Sequence, residues 1–259
     1  MRATEIVSII EEFAPSGIQE SWDNSGLSVG DLDRNVDLVL LALDCTPDII
    51  EEALSTGAQM IITHHPLIFK SIKQISNSTD IGRMINKIIK NNLIVYSAHT
   101  NIDKVISGVS GIMALKLGLV NLELLRQECN GEYGLGVIGD LETPVDFSQI
   151  LRMVKERFDP QVIKCSKPTE SLIKRIALCG GNGASLIDKA KESRAQLFIT
   201  GDVSYHNFFC ENDFMIMDIG HYESEIGLLD LLKSILTKKL PTFAVRIAEK
   251  NINPIHYYY

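Results

Sequence analysis

The chain has 259 residues, enough for one large domain or two small lobes, and its 45% hydrophobic and 22% charged residues are the balance of an ordinary folded protein. A formal net charge of −8 argues against general nucleic-acid binding, which needs a basic face, and leaves open only a local basic pocket for one nucleotide. No segment reads as a membrane span, and the opening MRATEIVSIIEEFAP carries Glu5, Glu11 and Glu12, which a cleavable export signal would not, so the cytoplasm is the expected location.

That opening segment is an amphipathic helix, followed by the loop Ser21-Trp22-Asp23-Asn24-Ser25-Gly26. DLVLLALD (37–44) is nearly continuously apolar, as a strand covered on both faces should be. Thr46-Pro47-Asp48 signals a helix start, and IIEEALSTG (49–57) runs to Gly57. Then come a strand at 59–63, a helix at 80–92, a buried strand at 93–98 and a helix at 107–119. A polar, irregular stretch near 121–136 marks a lobe boundary. Beyond it the pattern resumes with a helix at 147–158, a strand at 175–179, a helix at 185–194 and a strand at 196–200. A strand at 214–219, a helix around 222–238 and a last strand at 243–248 complete it, before the terminal Tyr257-Tyr258-Tyr259.

Segment 48–69, DIIEEALSTGAQMIITHHPLIF, aligns without gaps on 185–206, SLIDKAKESRAQLFITGDVSYH, so that His64-His65 corresponds to Gly201-Asp202. The expected fold is therefore α/β: two pseudo-symmetric lobes with mostly parallel sheets in three layers, and a metal site at the carboxyl ends of the strands. Residues 1–122, rejoined by 221–259, would form the first lobe and 130–220 the second. Metal chemistry would then sit on one lobe only.

The imidazoles and carboxylates that divalent ions take from proteins begin where apolar strands end. His64 and His65 follow the strand at 59–63 directly, and because neighbouring side chains diverge on leaving a strand, the pair suits two ions better than one. His99 and Asp103 follow the strand at 93–98, although an Asp in such a loop serves equally as a turn former or helix cap. His221 and Glu225 lie one turn apart if a helix starts near Gly220, and Glu225 could bridge two ions. Asp218, Glu223 and His206 read as supporting residues. Cys179-Gly180-Gly181-Asn182-Gly183 lacks the Lys-Ser/Thr of a phosphate-binding loop and reads first as a glycine-rich turn. The cysteines at 45, 129, 165, 179 and 210 are odd in number and widely spaced, which points to reduced, mostly buried thiols.

Taken together, WDNSGL (22–27), ITHHPLIF (62–69), SAHTNID (97–103), TGDVSYH (200–206) and DIGHYESE (218–225) resemble the Nif-three-like family, whose members commonly carry the name GTP cyclohydrolase I type 2 homologue. The resemblance covers essentially the whole chain. It implies a dinuclear metal site whose ligands map onto His64, His65, Asp103, His221 and Glu225, with His99 at the same site. It also implies two α/β lobes assembled into a toroidal homohexamer. Some relatives carry an inserted domain between the halves, for which this chain has no room near 121–136.

Two functions follow as expectations. The first is a dinuclear-metal-dependent hydrolase acting on a nucleotide-like small molecule, with His99 shuttling protons. The second is a metal-binding regulatory, storage or delivery protein without turnover. Mixed His and carboxylate ligands suit zinc, iron, manganese and nickel comparably.

Overall fold

The computed structural model describes residues 1–128, 131–210 and 213–258. Its strands, in chain order, are β1 (Gly26–Val29), β2 (Leu38–Ala42), β3 (Met60–Thr63), β4 (Ile94–Ser97), β5 (Val120–Glu128) and β6 (Tyr133–Val145). They continue as β7 (Lys164–Cys165), β8 (Ile173–Asn182), β9 (Leu197–Gly201), β10 (Met215–Asp218) and β11 (Ala244–Ile247). The α-helices are α1 (Ala3–Phe13), α2 (Pro47–Thr56), α3 (Asp80–Lys90), α4 (Thr100–Asp103) and α5 (Val109–Leu117). After them come α6 (Phe147–Phe158), α7 (Ile187–Glu192), α8 (His221–Glu225) and α9 (Leu228–Lys239).

Two compact units result, one of Met1–Ile102 with Leu228–Ile252 and one of Asp103–Gly227 with Asn253–Tyr259. The first holds a five-stranded sheet in the order β1-β4-β3-β2-β11, parallel except for β1, which pairs antiparallel with β4. Strands β3 and β4 are buried along their whole length, which is why their sequences read as unbroken apolar runs. Helix α2 starts as the sequence signals: the Thr46 side chain accepts the Ile49 N–H and Pro47 opens the first turn. It ends at Gly57, left-handed at φ 76. Ile49, Ile50 and Ala53 of α2 pack with Leu40, Ile61, Ile88 and Val95 to form the core on that side.

The second unit holds six strands in the order β5-β6-β8-β9-β10-β7. Its centre, β8-β9-β10, is parallel, and antiparallel β6 and β7 flank it. One core gathers α5 and α6 through Met113, Leu117, Ile150 and Val154 against Ile176, Leu178, Ile199 and Met217. A separate core joins Leu186, Ile187 and Ala190 to Ala177, Phe198 and Ile216. Adjacent strand residues such as Ala177 and Leu178 enter different cores, as the alternation of side chains across a strand requires, so the sheet is covered on both faces. The protein is thus a mixed α/β fold of two sheets with parallel centres.

Several expectations need correcting. The stretch near 121–136 is strand over 121–128 and 133–136 rather than irregular: β5 and β6 pair antiparallel there, with Leu124 opposite Val137 and Arg126 opposite Leu135. Few of its side chains are buried, so alternation is present without a strong apolar signal. The division between units falls at Ile102/Asp103 rather than near 121–136, because α5 contributes Met113, Ala114 and Leu117 to the second unit's core. Residues 221–227 likewise group with the second unit, while 228–252 return to the first. The single helix around 222–238 is two, α8 and α9. Residues 180–182 continue β8 as a strand instead of forming a turn.

The internal repeat extends to hydrogen bonds. Gln59 Oε1 accepts the N–H groups of Asp37 and Leu38 at 2.8 and 3.1 Å, and the aligned Gln196 Oε1 accepts those of Lys174 and Arg175 at 2.8 and 3.1 Å. The aligned alanines also match, Ala58 N–H donating to Ala53 and Ala195 N–H to Ala190. Cys45 and Cys179 are buried free thiols, Cys165 and Cys210 are half-buried free thiols, and Cys129 lies outside the described residues. Tyr258 is almost fully exposed, and Tyr259 also lies outside the described residues. No helix among the described residues is long and apolar enough to cross a membrane.

Candidate metal centre

In the first unit the polar end of the parallel sheet collects three imidazoles. His64 and His65 leave β3 where its ladder with β2 and β4 ends, His64 N–H donating to Ala42 O and His65 N–H to Leu43 O. His99 leaves β4 just before α4. One ring nitrogen from each of His64, His65 and His99 lies within 4.8 Å of the others. The ring centroids stand 4.8 Å apart for 64 and 65, 5.2 Å for 64 and 99, and 5.6 Å for 65 and 99.

What points these rings is a fixed tautomer. His64 Nδ1 lies 2.8 Å from the carbonyl oxygen of Ala98, which can only accept, so Nδ1 carries the proton and Nε2 offers its lone pair. His65 Nδ1 donates to Asp44 Oδ1 at 2.9 Å and His99 Nδ1 to Asp23 Oδ1 at 2.7 Å, with the same consequence. Imidazole held at Nδ1 by a carbonyl or carboxylate is how metal-ligating histidines are ordinarily oriented and made more basic. Asp23 also accepts the N–H and hydroxyl of Thr100 and the hydroxyl of Ser25, fixing the start of α4. Burial alone would raise the Asp23 pKa, but the bonds from His99, Thr100 and Ser25 outweigh it and hold the carboxyl well below the usual range.

In the second unit, α8 places His221 and Glu225 one turn apart as its spacing requires. His221 Nδ1 donates to Asp202 Oδ2 at 2.8 Å, so Nε2 again presents a lone pair, here 3.1 Å from Glu225 Oε2. Two acceptors facing each other at that distance call for a cation, a proton or a metal ion. The end of β8 leaves room for Glu225 only because position 181 is glycine: a Cβ on Gly181, at φ +59, would stand 2.3 Å from Glu225 Oε1. Ser224 ties the two elements together, its hydroxyl accepting the Gly181 N–H and donating to the His221 carbonyl. Asp103 ends α4 half-buried. Burial pushes the Cys179 thiol up to about 12, helped by the charges of Asp103 and then Glu225, so both carboxylates bear on the same spot.

The supporting residues divide. Asp218 is buried and shapes the turn before α8 by accepting the N–H groups of Val203 and Gly220, each at 3.0 Å. Glu223 is buried and accepts from Asn253 at 2.9 Å. His206 sits in a 3-10 turn against Tyr205 and Phe209 and takes no part in either histidine group. Sequence reasoning passed over Asp23, Asp44 and Asp202, the carboxylates that orient three of the histidines. The repeat held a signal for one of them: Asp202 aligns with His65, at a strand end.

The Duf34/NIF3 (NGG1p interacting factor 3) family model matches residues 1–254. The chain belongs to the Duf34/NIF3 family. A Clostridium perfringens relative named GTP cyclohydrolase 1 type 2 homolog is 35% identical over 253 residues, covering 96% of this chain and 97% of the relative. A Drosophila melanogaster relative named NIF3-like protein 1 is 31% identical, covering 91% and 82%. Among solved structures, a hypothetical protein from Staphylococcus aureus matches with a TM-score of 0.91 at 26% identity, over 100% of this chain and 99% of that one. A Bacillus cereus protein related to NIF3 matches in fold with a TM-score of 0.92 at 23% identity, over 100% and 99%. The family expected from the sequence is thus the one found, and this chain carries His and Glu groups that could hold a metal ion.

Proposed function

We propose that this Duf34/NIF3 member is a dinuclear-metal-dependent hydrolase of a nucleotide-like small molecule. The ligands in this reading are His64, His65, Asp103, His221 and Glu225, and the metal is zinc, iron, manganese or nickel. The observation that carries it is the shared orientation of four histidines: Nδ1 of His64, His65, His99 and His221 is in each case held by a carbonyl or carboxylate oxygen, leaving Nε2 to donate. The donor set fits divalent ions because it mixes neutral imidazoles with carboxylates whose charge offsets the cations.

A pair of divalent ions supplies Lewis acidity, lowering the pKa of water and offsetting charge that develops on an attacked or leaving oxygen. The chain's own residues do the rest. Glu225 brings negative charge beside His221, and Asp44 and Asp202 keep His65 and His221 in the donating tautomer. His99, hydrogen-bonded to Asp23, takes a proton at Nε2 and returns it, and the carboxylate stabilises the imidazolium in between. The names of the relatives favour a nucleotide such as GTP as substrate. A cytoplasmic homohexamer belongs to the same reading.

The deciding experiment is metal analysis of unheated, tag-free protein followed by a nucleotide-panel turnover assay on the same sample. Two ions per chain, with anomalous density at two positions about 3 to 4 Å apart, and turnover that chelation abolishes are expected. Two ions with no turnover of any nucleotide would favour the storage or regulatory role. One isolated ion or none in metal-replete protein would sink the dinuclear site. A clean monomer mass by light scattering would remove the hexamer.

A further inference from the structure

We infer that Trp22 and Phe69 form the seat for a flat heteroaromatic ring, a nucleobase or its like, at the edge of His99. The inference rests on the hydrolase reading of that site and names which end of the substrate lies there.

Trp22 is the chain's one tryptophan and is 58% exposed, and Phe69 is 51% exposed. Large aromatic side chains left in water forgo the burial that ordinarily stabilises them. Nor is Trp22 exposed for want of order in its loop. Glu20 N–H donates to Thr100 Oγ1 at 2.9 Å and Ser25 N–H to Gln19 Oε1 at 2.8 Å. Asn24 Nδ2 donates to the Ile68 carbonyl at 2.7 Å, fastening the loop to the segment that carries Phe69. The two aromatic centroids stand 5.8 Å apart with planes inclined at 58°, an open angle rather than a closed stack.

Both rings meet His99 edge-on, Trp22 at 6.2 Å and Phe69 at 6.1 Å between centroids. A group resting on either face therefore lies within about one ring width of the imidazole that the proposed chemistry uses. Its character follows from what surrounds it. A phosphate would leave both aromatics wet and a sugar ring meets them only through its puckered C–H face, whereas a planar heterocycle covers them and stacks.

The single tryptophan makes the test direct. Metal-loaded full-length protein is titrated with GMP and, separately, with ribose 5-phosphate, following Trp22 emission excited at a wavelength the base does not absorb. Saturable quenching by GMP is expected, with none from ribose 5-phosphate over the same range. Phe69→Ala, at an exposed position, should keep its far-UV circular dichroism and metal content while weakening the GMP quench by about tenfold. Equal perturbation by ribose 5-phosphate, or a GMP titration unchanged in Phe69→Ala, would overturn the seat. So would an emission change that tracks protein concentration instead of ligand, since a second copy of the chain would then cover the rings. Turnover measured on the same samples keeps the two readings apart. Quenching without hydrolysis defeats the enzyme and leaves the ring site, and hydrolysis without quenching does the reverse.

Discussion

Glu225 closes α8 and His99 lies between β4 and α4, and their surroundings suit them to different work. Glu225 is buried and its carboxylate faces His221 at 3.1 Å, so in the dinuclear reading Glu225→Gln keeps the shape and removes charge that two divalent ions would need. Metal affinity should fall about tenfold or more, read by competition with a chromogenic chelator. In the same reading His99→Ala should leave most of the metal and lower turnover by about 10²-fold. If His99→Ala strips metal as thoroughly as Glu225→Gln, His99 is a ligand and its proton-shuttle role is wrong. Asp23 adds a pH signature. Its carboxyl titrates well below the ordinary range when folded, so the stability it contributes is present above the unfolded value near 4 and is lost as pH falls through the folded pKa. Asp23→Asn should cost about 1–3 kcal/mol at neutral pH, and that gap should narrow as pH drops below about 4. Urea denaturation of metal-free samples at both pH values checks it, and a gap that widened in acid would refute the assignment.

At the scale of elements, the fit of α8 against β8 turns on one missing methyl group. Gly181→Ala should strain a left-handed residue and drive a Cβ onto Glu225 Oε1, 2.3 Å away, so that metal is lost while circular dichroism is kept. Gly57→Ala is the control: φ is +76 there, nothing lies within 4 Å of the added Cβ, and metal should stay. Equal metal loss in both variants would mean that general destabilisation, and not the contact, is responsible. The same pair of elements shows where sequence reading stops. β8 was legible over its apolar part, but Gly180, Gly181 and Asn182 continue it because they carry α8 against the strand end, a tertiary cause invisible to local pattern. The pairing of β5 with β6 escaped for another reason: β5 mixes polar with apolar residues and buries only Leu124 and Leu125, two neighbours, so period-two alternation had little amplitude. Parallel β2, β3 and β4 were plain because burial on both faces leaves no room for polar residues. The histidines were visible for the complementary reason, since a polar residue directly after such a run demands an explanation. Asp23, Asp44 and Asp202 were not visible, because a carboxylate in a loop reads as a turn until its partner is known.

Over the whole molecule, the two sheets differ in how their strands are drawn from the sequence. The second sheet takes all its strands from one continuous stretch, β5 through β10, whereas the first waits for β11, which pairs with β2 from Val245 opposite Val39 to Ile247 opposite Leu41. Glu52 reinforces that return, accepting the N–H groups of Glu249 and Lys250. On a ribosome this sets a timetable. β2 emerges early and its open edge, with Val39, Leu40 and Leu41 fully buried in the finished protein, has no native partner until β11 has been made. Through that interval the nascent chain would offer a bare apolar strand edge to chaperones or to neighbouring copies. A chain stopped after Lys239, which keeps α9 but lacks β11, should therefore pellet when expressed, and a separately supplied peptide of residues 240–259 should shift part of it back to the soluble fraction. A truncated chain that stays soluble and folded without the peptide would show that β2 does not need its late partner.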